Sequence, residues 1–297
     1  MKTYIAVNQI SPKPNDPNMN FEIICQTVKK NVEEGAKLCI FPEDFLYGVI
    51  RGHDDIIDAG KKYNEWLYKF KDLAKKYHVD IIPGSFPRYS NNNTYNSTVY
   101  IDKSGKILTS YSKNNLWLSE RREYTPFLKA PTVFDSILGE TAIIICWDIF
   151  DHTLFRTAVK NGAKWIIILS FWSVNQSKDL SLERGSPSKS YGRSSDPQFL
   201  DHLILSRATE YNVGIIFCNY AGTHQYKGQL GIQTAISANR SQVVDSHERV
   251  YGRLSNRKAA TLICEIDNDD IAQGIKDFEI TYGRREDVAK SYPYTPA

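Results

Sequence analysis

Three side chains that could carry nucleophilic and acid–base chemistry each follow or end a short apolar run. Glu43 follows Leu-Cys-Ile-Phe-Pro, Lys113 follows Ile-Leu-Thr-Ser-Tyr-Ser, and Cys146 ends Thr-Ala-Ile-Ile-Ile-Cys. A thiolate can attack a carbonyl carbon, a carboxylate can take the thiol proton, and an ammonium can hold a negatively charged oxygen. The three residue types together would suit acyl transfer through a thioester.

Each of these residues also has a purely structural interpretation. A free cysteine in an apolar run is typical of a hydrophobic core, and Glu43 and Lys113 also fit exposed charges beside strands. The position of Cys146 favours chemistry, because runs of β-branched residues predict buried strands. Open α/β folds place their functional groups at the carboxyl ends of such strands.

Helices and strands alternate along the chain. The helical spacing of apolar residues predicts helices at about residues 19–34, 55–77, 152–161 and 198–211. Apolar segments predict strands at residues 4–10, 37–41, 79–83, 141–146, 162–169, 213–219, 228–237 and 259–266. The turn Asp102-Lys-Ser-Gly105 predicts a hairpin of residues 97–101 and 107–112. This alternation, with one hairpin, indicates an α/β fold with a mixed sheet.

The sequence resembles the nitrilase, or carbon-nitrogen hydrolase, superfamily from Ile5 to about Asp287. The matching residues are Phe41-Pro42-Glu43, Tyr111-Ser112-Lys113 with Leu116, Ile145-Cys146-Trp147-Asp148, Arg156 with Asn161-Gly162-Ala163, Arg207-Ala208 with Glu210, and Cys218-Asn219-Tyr220-Ala221-Gly222. The resemblance implies an α-β-β-α sandwich, in which two mixed sheets pack face to face with helices outside. No linker-like stretch divides the chain, so we expect a single carbon-nitrogen hydrolase domain over residues 1–297.

The resemblance implies a role for each member of the triad. Cys146 would be the nucleophile, Glu43 the general base, and Lys113 the cation that holds the thiolate and the oxyanion. The backbone N–H of Trp147 would be a second oxyanion donor. A second glutamate often assists in this family, and Glu120 fits it better than the alternative, Glu123. The mechanism needs no metal and no organic cofactor.

The stretch that follows the assisting glutamate departs from the family pattern at one position. The usual glycine after Thr-Pro is Phe127 here, which makes positive φ unfavourable at that point. Five aromatic residues near the predicted strand ends are interpreted as substrate-binding or as core: Tyr47, Trp117, Trp147, Phe171 and Trp172.

Asp148, which follows Cys146-Trp147, favours an amidase or an N-carbamoyl hydrolase, because true nitrilases tend to have glutamate there. The expected reaction is hydrolysis of a non-peptide C–N bond in a small amide or N-carbamoyl compound, with release of ammonia. Three alternatives remain: nitrile hydrolysis by the same triad, a catalytically idle scaffold on this fold, and a cysteine enzyme using His152 or His224.

The composition and net charge limit the partners and the cellular compartment that we expect. The chain has 297 residues, of which 41% are hydrophobic and 24% charged, and its net charge is +3. This small charge gives no reason to expect nucleic acid or a membrane surface as a partner. Five cysteines without metal-ligand spacing, and no signal peptide, predict a cytoplasmic protein without a metal site. The resemblance implies a homodimer or a higher homo-oligomer.

Two segments lack a clear apolar period. Residues 173–199 contain many serines and mixed charges, which predicts a long polar loop placed as a lid. Residues 267–297 are predicted to form a C-terminal segment with a short helix and a tail.

Overall fold

Two mixed β-sheets pack face to face, and helices cover the outer face of each sheet. The computed structural model describes residues 2–50, 52–174, 197–228, 231–247, 249–269 and 273–277. Most of the predicted polar loop 173–199 and of the C-terminal segment 267–297 therefore lies outside the described residues.

The first sheet joins the chain's early strands to one late strand. Its strands are β1 (Lys2–Gln9), β2 (Leu38–Ile40), β3 (Asp80–Ile82), β4 (Phe86–Ser90), β5 (Asn93–Ile101), β6 (Ile107–Ser112) and β15 (Ala260–Asp267). They are ordered β15-β1-β2-β3-β5-β4, and β6 also pairs with β5. β1, β2 and β3 are parallel, while β15, β5, β4 and β6 pair antiparallel.

The second sheet is built from the middle of the chain. Its strands are β7 (Phe134–Ser136), β8 (Gly139–Ile145), β9 (Trp165–Ser170), β10 (Gly214–Asn219), β13 (Gln242–Val244) and β14 (Val250–Arg253). They are ordered β14-β13-β10-β9-β8-β7, with β8, β9 and β10 parallel. A separate hairpin is formed by β11 (Thr223–Gly228) and β12 (Gly231–Ile236).

The helices flank the two sheets. α1 (Pro17–Glu33), α2 (His53–Lys61) and α3 (Tyr63–Tyr77) cover the first sheet, and α4 (His152–Lys160) and α5 (Pro197–Tyr211) cover the second. Two aspartates cap helix N-termini, since Asp16 accepts the N–H of Met19 and Asp151 accepts the N–H of Thr153. Among the described residues, every helix is too short or too polar to cross a lipid bilayer.

The strand pleat sorts the apolar residues into three layers. In β8, Ile143 faces the other sheet, whereas Ala142 and Ile144 face α4 and α5. The layer between the sheets consists of Ile5, Val7, Leu38, Ile40, Ile82, Tyr100, Leu138, Ile143, Trp165, Ile167, Leu169, Ile216, Cys218, Val243, Cys264 and Ile266. This double burial explains the near-continuous apolar runs of β8 and β9. The predicted α-β-β-α sandwich is thereby confirmed.

The predicted helix at residues 55–77 is wrong in one respect, because it is two helices that meet at Lys62. Gly60 explains how the first helix lies so close to β4: a β-carbon there would be only 2.8 Å from the backbone nitrogen of Tyr89. Glycine is also a weak helix former. The two helices thus follow separate paths over the sheet.

Other strand predictions were incomplete. The strand predicted at residues 228–237 corresponds to β12, which covers Gly231–Ile236 and is the second strand of a hairpin whose first strand, β11, was not predicted. Four further short strands, β4, β7, β13 and β14, were also missed. They have three to five residues each, so their apolar pattern is too short to read.

Candidate active site

The structure brings Glu43, Lys113 and Cys146 together at one edge of the sandwich. Lys113 directly follows β6 and Glu43 lies just after β2, so both come from the first sheet. Cys146 directly follows β8 of the second sheet. The cluster therefore spans both sheets, and its geometry depends on how the two sheets pack.

Lys113 is a fully buried ammonium between two carboxylates. Its Nζ lies 2.8 Å from Oε1 of Glu43 and 2.7 Å from Oε2 of Glu120, and its side chain is 1% exposed. Burial by itself lowers the pKa of Lys113, but Glu120 and Glu43 outweigh burial and hold this pKa well above its usual value. The lysine is therefore a fixed positive charge at the centre of the site.

Glu43 is buried but well supplied with donors. Its Oε1 accepts from Nδ2 of Asn96 at 2.9 Å and from Lys113, and its Oε2 accepts from the backbone N–H of Phe171 at 2.8 Å. Burial raises the pKa of Glu43, and Lys113 and a hydrogen bond with Cys146 oppose that rise. A carboxylate with a raised pKa that faces a thiol is suited to accept its proton.

Cys146 has a left-handed backbone conformation, with φ of 50°. This conformation is uncommon for residues with a side chain and concentrates at functional sites. The hydroxyl of Ser170, the last residue of β9, lies 3.4 Å from Sγ. Burial and then Glu43 raise the pKa of the Cys146 thiol well above its usual value, against the smaller effects of Lys113 and Ser170. The surroundings therefore favour the protonated thiol, and Glu43 is a neighbouring group that could accept its proton.

Of the two candidate assisting glutamates, the structure brings Glu120 to the cluster. Glu120 is bound by Lys113 and accepts the backbone N–H of Trp117 at 2.6 Å. Glu123 instead accepts the N–H of Gly52 at 3.2 Å, outside the cluster. Phe127, which replaces the usual glycine, is not among the residues with positive φ, and Leu128 has a φ of 55°. The left-handed residue in the described chain therefore comes one position later.

A glycine fixes the loop that carries Glu43. Gly84 has a φ of +80°, and a β-carbon there would lie 2.1 Å from the carbonyl oxygen of Pro42. No side chain fits at that distance. The N–H of Asp44 also bonds the hydroxyl of Ser85, at 3.3 Å. The segment after β3 therefore holds the Glu43 loop by direct backbone contact.

The predicted aromatic residues separate into three settings. Trp117 and Trp147 are half-buried with ring centroids 4.4 Å apart, and Trp147 also stacks on Trp172 at 5.5 Å. Phe171 stacks on Tyr220 at 3.7 Å, while its backbone binds Glu43. Tyr47 lies in the core beneath the helices, where its hydroxyl accepts the indole N–H of Trp66 at 2.8 Å.

Three carboxylates near the triad have a spacing that would suit a metal ion. Glu43, Asp44 and Glu120 bring oxygens within 4.8 Å of one another. The Lys113 ammonium already contacts Glu43 and Glu120 and supplies the positive charge that these groups need. A metal ion would have to compete with it.

Two residues of this site carry no strong signal in the sequence. Asn96 is a polar residue inside β5, and Ser170 is the last residue of an apolar strand. A polar residue pointing inward from a buried strand is the one pattern that could have singled out Asn96. Ser170 is found only once β8 and β9 are known to be adjacent.

Comparison with known proteins agrees with this geometry. Residues 4–276 match the model of the carbon-nitrogen hydrolase family. The chain belongs to that family. The resemblance noted in the sequence is thus confirmed, and the protein is an amidohydrolase that acts on carbon–nitrogen bonds other than peptide bonds.

Two curated relatives cover nearly the whole chain. A probable nitrilase of Schizosaccharomyces pombe is 25% identical over 91% of this chain and 90% of its own length. The 2-oxoglutaramate amidase of Bacillus subtilis is 23% identical over 97% of this chain and 100% of its own length.

The fold is shared with a solved amidase from Nesterenkonia sp. AN1. A mutant of that enzyme, with the acetamide moiety of fluoroacetamide added at its active-site cysteine, has a TM-score of 0.74 and 18% identity. The match covers 98% of this chain and 96% of that chain. It supports the sandwich architecture over almost its full length.

Proposed function

We propose that this hydrolase cleaves the C–N bond of a small amide or N-carbamoyl compound through a thioester on Cys146. The observation that carries the proposal is the buried contact of a thiol, a carboxylate with raised pKa and an ammonium. The reaction uses Glu43 as base and Lys113 as a fixed cation, and it uses no metal or organic cofactor.

The first half of the reaction forms the thioester. Cys146 passes its proton to Glu43 as Sγ bonds to the carbonyl carbon. Lys113 and the backbone N–H of Trp147 hold the oxygen of the tetrahedral intermediate. The C–N bond then breaks, and the proton on Glu43 goes to the leaving nitrogen, which departs as ammonia or an amine.

The second half releases the acid. Glu43 takes a proton from a water molecule, and the oxygen of that water attacks the thioester carbon. The C–S bond breaks, and the proton returns to the sulfur. Glu120 keeps Lys113 in place between these steps, because both of its carboxylate oxygens accept from the ammonium.

The printed names of relatives support an amide substrate. One relative is a 2-oxoglutaramate amidase, and a mutant of the Nesterenkonia amidase has been solved in complex with butyramide. Both names describe amides of small acids. The half-buried Trp117 and Trp147 beside Cys146 suit the apolar part of such a molecule.

We also propose that the enzyme is a cytoplasmic homo-oligomer, at least a dimer. The cysteines in the described structure are all free thiols. On α5, Leu200 and Ile204 are fully buried, whereas Leu203 and Leu205 pack against the same core but keep part of their surface exposed, where a partner subunit could cover it. Sedimentation at micromolar concentration tests this proposal, and a species of 33.9 kDa alone would contradict it.

The test of the activity is an ammonia-release screen over simple amides, N-carbamoyl amines and nitriles. The wild-type enzyme should turn over at least one amide or carbamoyl compound. Intact-mass measurement should reveal an acyl adduct that Cys146→Ala lacks. Cys25→Ala is the matched control, because Cys25 is a half-buried thiol on α1, away from the site.

Each outcome of this screen is decisive. Turnover of nitriles with no amide activity would move the assignment to a nitrilase. Normal turnover by Cys146→Ala would overturn the thioester mechanism. No turnover of any compound, together with a Cys146 thiol that resists alkylation, would favour the idle scaffold.

A further inference from the structure

The carboxylate of Asp148 is fully buried and accepts five hydrogen bonds. Its Oδ1 accepts the backbone N–H groups of Asn114 at 3.2 Å and Asn115 at 2.7 Å, and Nδ2 of Asn115 at 3.1 Å. Its Oδ2 accepts the hydroxyl of Tyr111 at 2.7 Å and the backbone N–H of Ile145 at 3.1 Å. These donors use the full acceptor capacity of both carboxylate oxygens.

The donors belong to two different chain segments. Asn114 and Asn115 directly follow Lys113, in the loop after the last strand of the first sheet's hairpin. Ile145 directly precedes Cys146, at the end of a strand in the second sheet. One side chain therefore holds the loop of the ammonium and the turn of the nucleophile against each other.

We propose that Asp148 is a positioning residue for the reaction: it fixes Cys146 and Lys113 relative to each other without touching the substrate. The proposal rests on the function proposed above for these two residues. It assigns to Asp148 a role other than the marker of reaction type that the sequence suggested.

The geometry explains why the group must be a carboxylate. Three backbone N–H groups and one hydroxyl point at the two oxygens, and an ionised carboxylate has only acceptors. The bond from Ile145 lies next to the left-handed Cys146, whose φ is 50°. Without that bond the turn would lose the contact that opposes its relaxation to an extended conformation.

The same network is tied down on its outer side. The hydroxyl of Tyr111 accepts Nδ2 of Asn114 at 2.7 Å, and Nδ2 of Asn115 also reaches Asp151, the cap of α4, at 3.1 Å. Lys113 is a charged neighbour that favours the ionised form of Asp148. The network thus keeps the carboxylate fixed while it fixes the two loops.

The sharpest variant is Asp148→Asn. The amide keeps the volume and one acceptor, but its NH₂ group would face the N–H of Ile145 and break that bond. Tyr111→Phe removes only one donor and leaves the backbone bonds in place. The chain offers a matched control pair, Asp80→Asn and Tyr100→Phe, because Asp80 is a buried aspartate that accepts a tyrosine hydroxyl away from the site.

Iodoacetamide alkylation of Cys146 as a function of pH is a readout that does not require a known substrate. In the wild type, the thiol passes its proton to Glu43, so the rate should reach a plateau near neutral pH. In Asp148→Asn, the rate should lose that plateau and rise with pH, as for an unassisted thiol. We expect alkylation at pH 7 to slow by about tenfold or more, and kcat to fall about 10²-fold with little change in KM.

The control pair separates positioning from folding. Asp80→Asn and Tyr100→Phe should lower the melting temperature but leave both the alkylation profile and kcat unchanged. A folded Asp148→Asn with the wild-type alkylation profile and kcat would overturn the proposal. It would also be overturned if kcat and the alkylation rate fell in both aspartate variants only in proportion to the fraction of folded protein.

Tyr111→Phe decides the case in which Asp148→Asn does not fold. A severalfold slower alkylation than in Tyr100→Phe supports positioning, and equal rates overturn it. If the wild type hydrolyses no amide but the alkylation contrast persists, the proposed function fails and the positioning role stands.

Discussion

The molecule contains two buried aspartate–tyrosine pairs at opposite ends of its strands. At the catalytic end, Asp148 accepts the hydroxyl of Tyr111 at 2.7 Å. At the other end, Asp80 begins β3 and accepts the hydroxyl of Tyr100 at 2.5 Å and the N–H of Lys103 at 2.8 Å. Burial raises the pKa of both carboxyls.

The two pairs consist of the same residue types, but they connect different segments of the chain. The Asp80 pair ties β3 to the turn between β5 and β6, both within the first sheet. The Asp148 pair ties a loop of the first sheet to a turn of the second. The comparison shows that the function of a buried carboxylate follows from the segments it connects.

The largest contrast should come from the lysine at the catalytic end. Lys113→Met would leave Glu43 and Glu120 buried without their cation, so we expect turnover to fall 10²-fold or more. The free energy of unfolding should fall by about 3–5 kcal/mol. Ammonia release and denaturant unfolding measure the two effects, and Lys113→Arg should fail almost as badly because a planar guanidinium does not replace a compact ammonium.

The control for this variant is an ordinary surface pair. Lys164 and Glu140 lie 3.0 Å apart with side chains 41% and 48% exposed. Lys164→Met should change the free energy of unfolding by less than about 1 kcal/mol and leave turnover unchanged. Near-normal kcat in Lys113→Arg would contradict the assigned role of the lysine.

The next largest effect should come from the Asp80–Tyr100 pair, away from the active site, and it should concern stability only. Asp80→Asn would leave the N–H of Lys103 and the hydroxyl of Tyr100 with a poorer partner, so we expect a loss of about 1–3 kcal/mol in unfolding free energy. Turnover of the folded fraction should not change. A clear fall in kcat at full folding would mean that the far end of the strands also controls the site.

The pH dependence should move stability and activity in opposite directions. Burial raises the pKa of Asp148 from 3.8 to about 6, so the folded state binds this proton more tightly than the unfolded chain. The contribution of Asp148 to stability is therefore greatest below pH 3.8 and declines as the pH rises to about 6. Activity should instead rise over this range, because Asp148 accepts all its bonds only when ionised.

The fall of activity at acid pH tests the pKa of Asp148 directly. Because Asp148 must be ionised to accept all its bonds, kcat/KM should fall as the pH drops below about 6. Glu43, whose pKa burial also raises, must be ionised to act as base and should add to this fall. In Asp148→Asn, the free energy of unfolding should no longer decline between pH 3.8 and about 6. The fall of kcat/KM at acid pH that is due to Glu43 should remain. An unchanged stability curve in that variant would contradict the raised pKa of Asp148.

The smallest contrast concerns the hydroxyl beside the sulfur. Ser170→Ala removes one hydrogen bond to Sγ, a contact of 3.4 Å, so we expect kcat to fall only about three- to tenfold. Ser241→Ala removes a buried hydroxyl that bonds the backbone of Asn219 and should leave kcat unchanged. A loss of 10²-fold or more in Ser170→Ala would show that the serine does more than stabilise the thiolate.

Parts of this picture could be predicted from the sequence. Glu43, Lys113 and Cys146 each lie beside an apolar run, and strand ends that share an edge bring such residues together. Position alone left a structural interpretation open, and the resemblance to the family singled them out. The choice of Glu120 over Glu123 rested on the resemblance to the family, in which a second glutamate precedes an aromatic-Thr-Pro stretch. Their catalytic roles stay predictions until the variants are measured.

Other parts depend on contacts between distant segments. The role proposed for Asp148 needs the loop after Lys113 to lie against the end of β8, and no local pattern gives that contact. In α1, Asn20 and Asn31 are buried although helical spacing predicted an apolar face, because they bond Leu46 and Asn8 on neighbouring segments. Apolar periodicity cannot detect a buried polar residue that bonds a neighbouring segment in this way.

The division of the reacting groups between the two sheets has a consequence for heat tolerance. A sliding motion of a fraction of an ångström between the sheets would expose little apolar surface, yet it would separate the sulfur from its base. We therefore expect the temperature optimum of turnover to lie below the melting temperature of the fold. An apolar substitution in the inter-sheet layer, such as Leu169→Val, should lower that optimum more than it lowers the melting temperature.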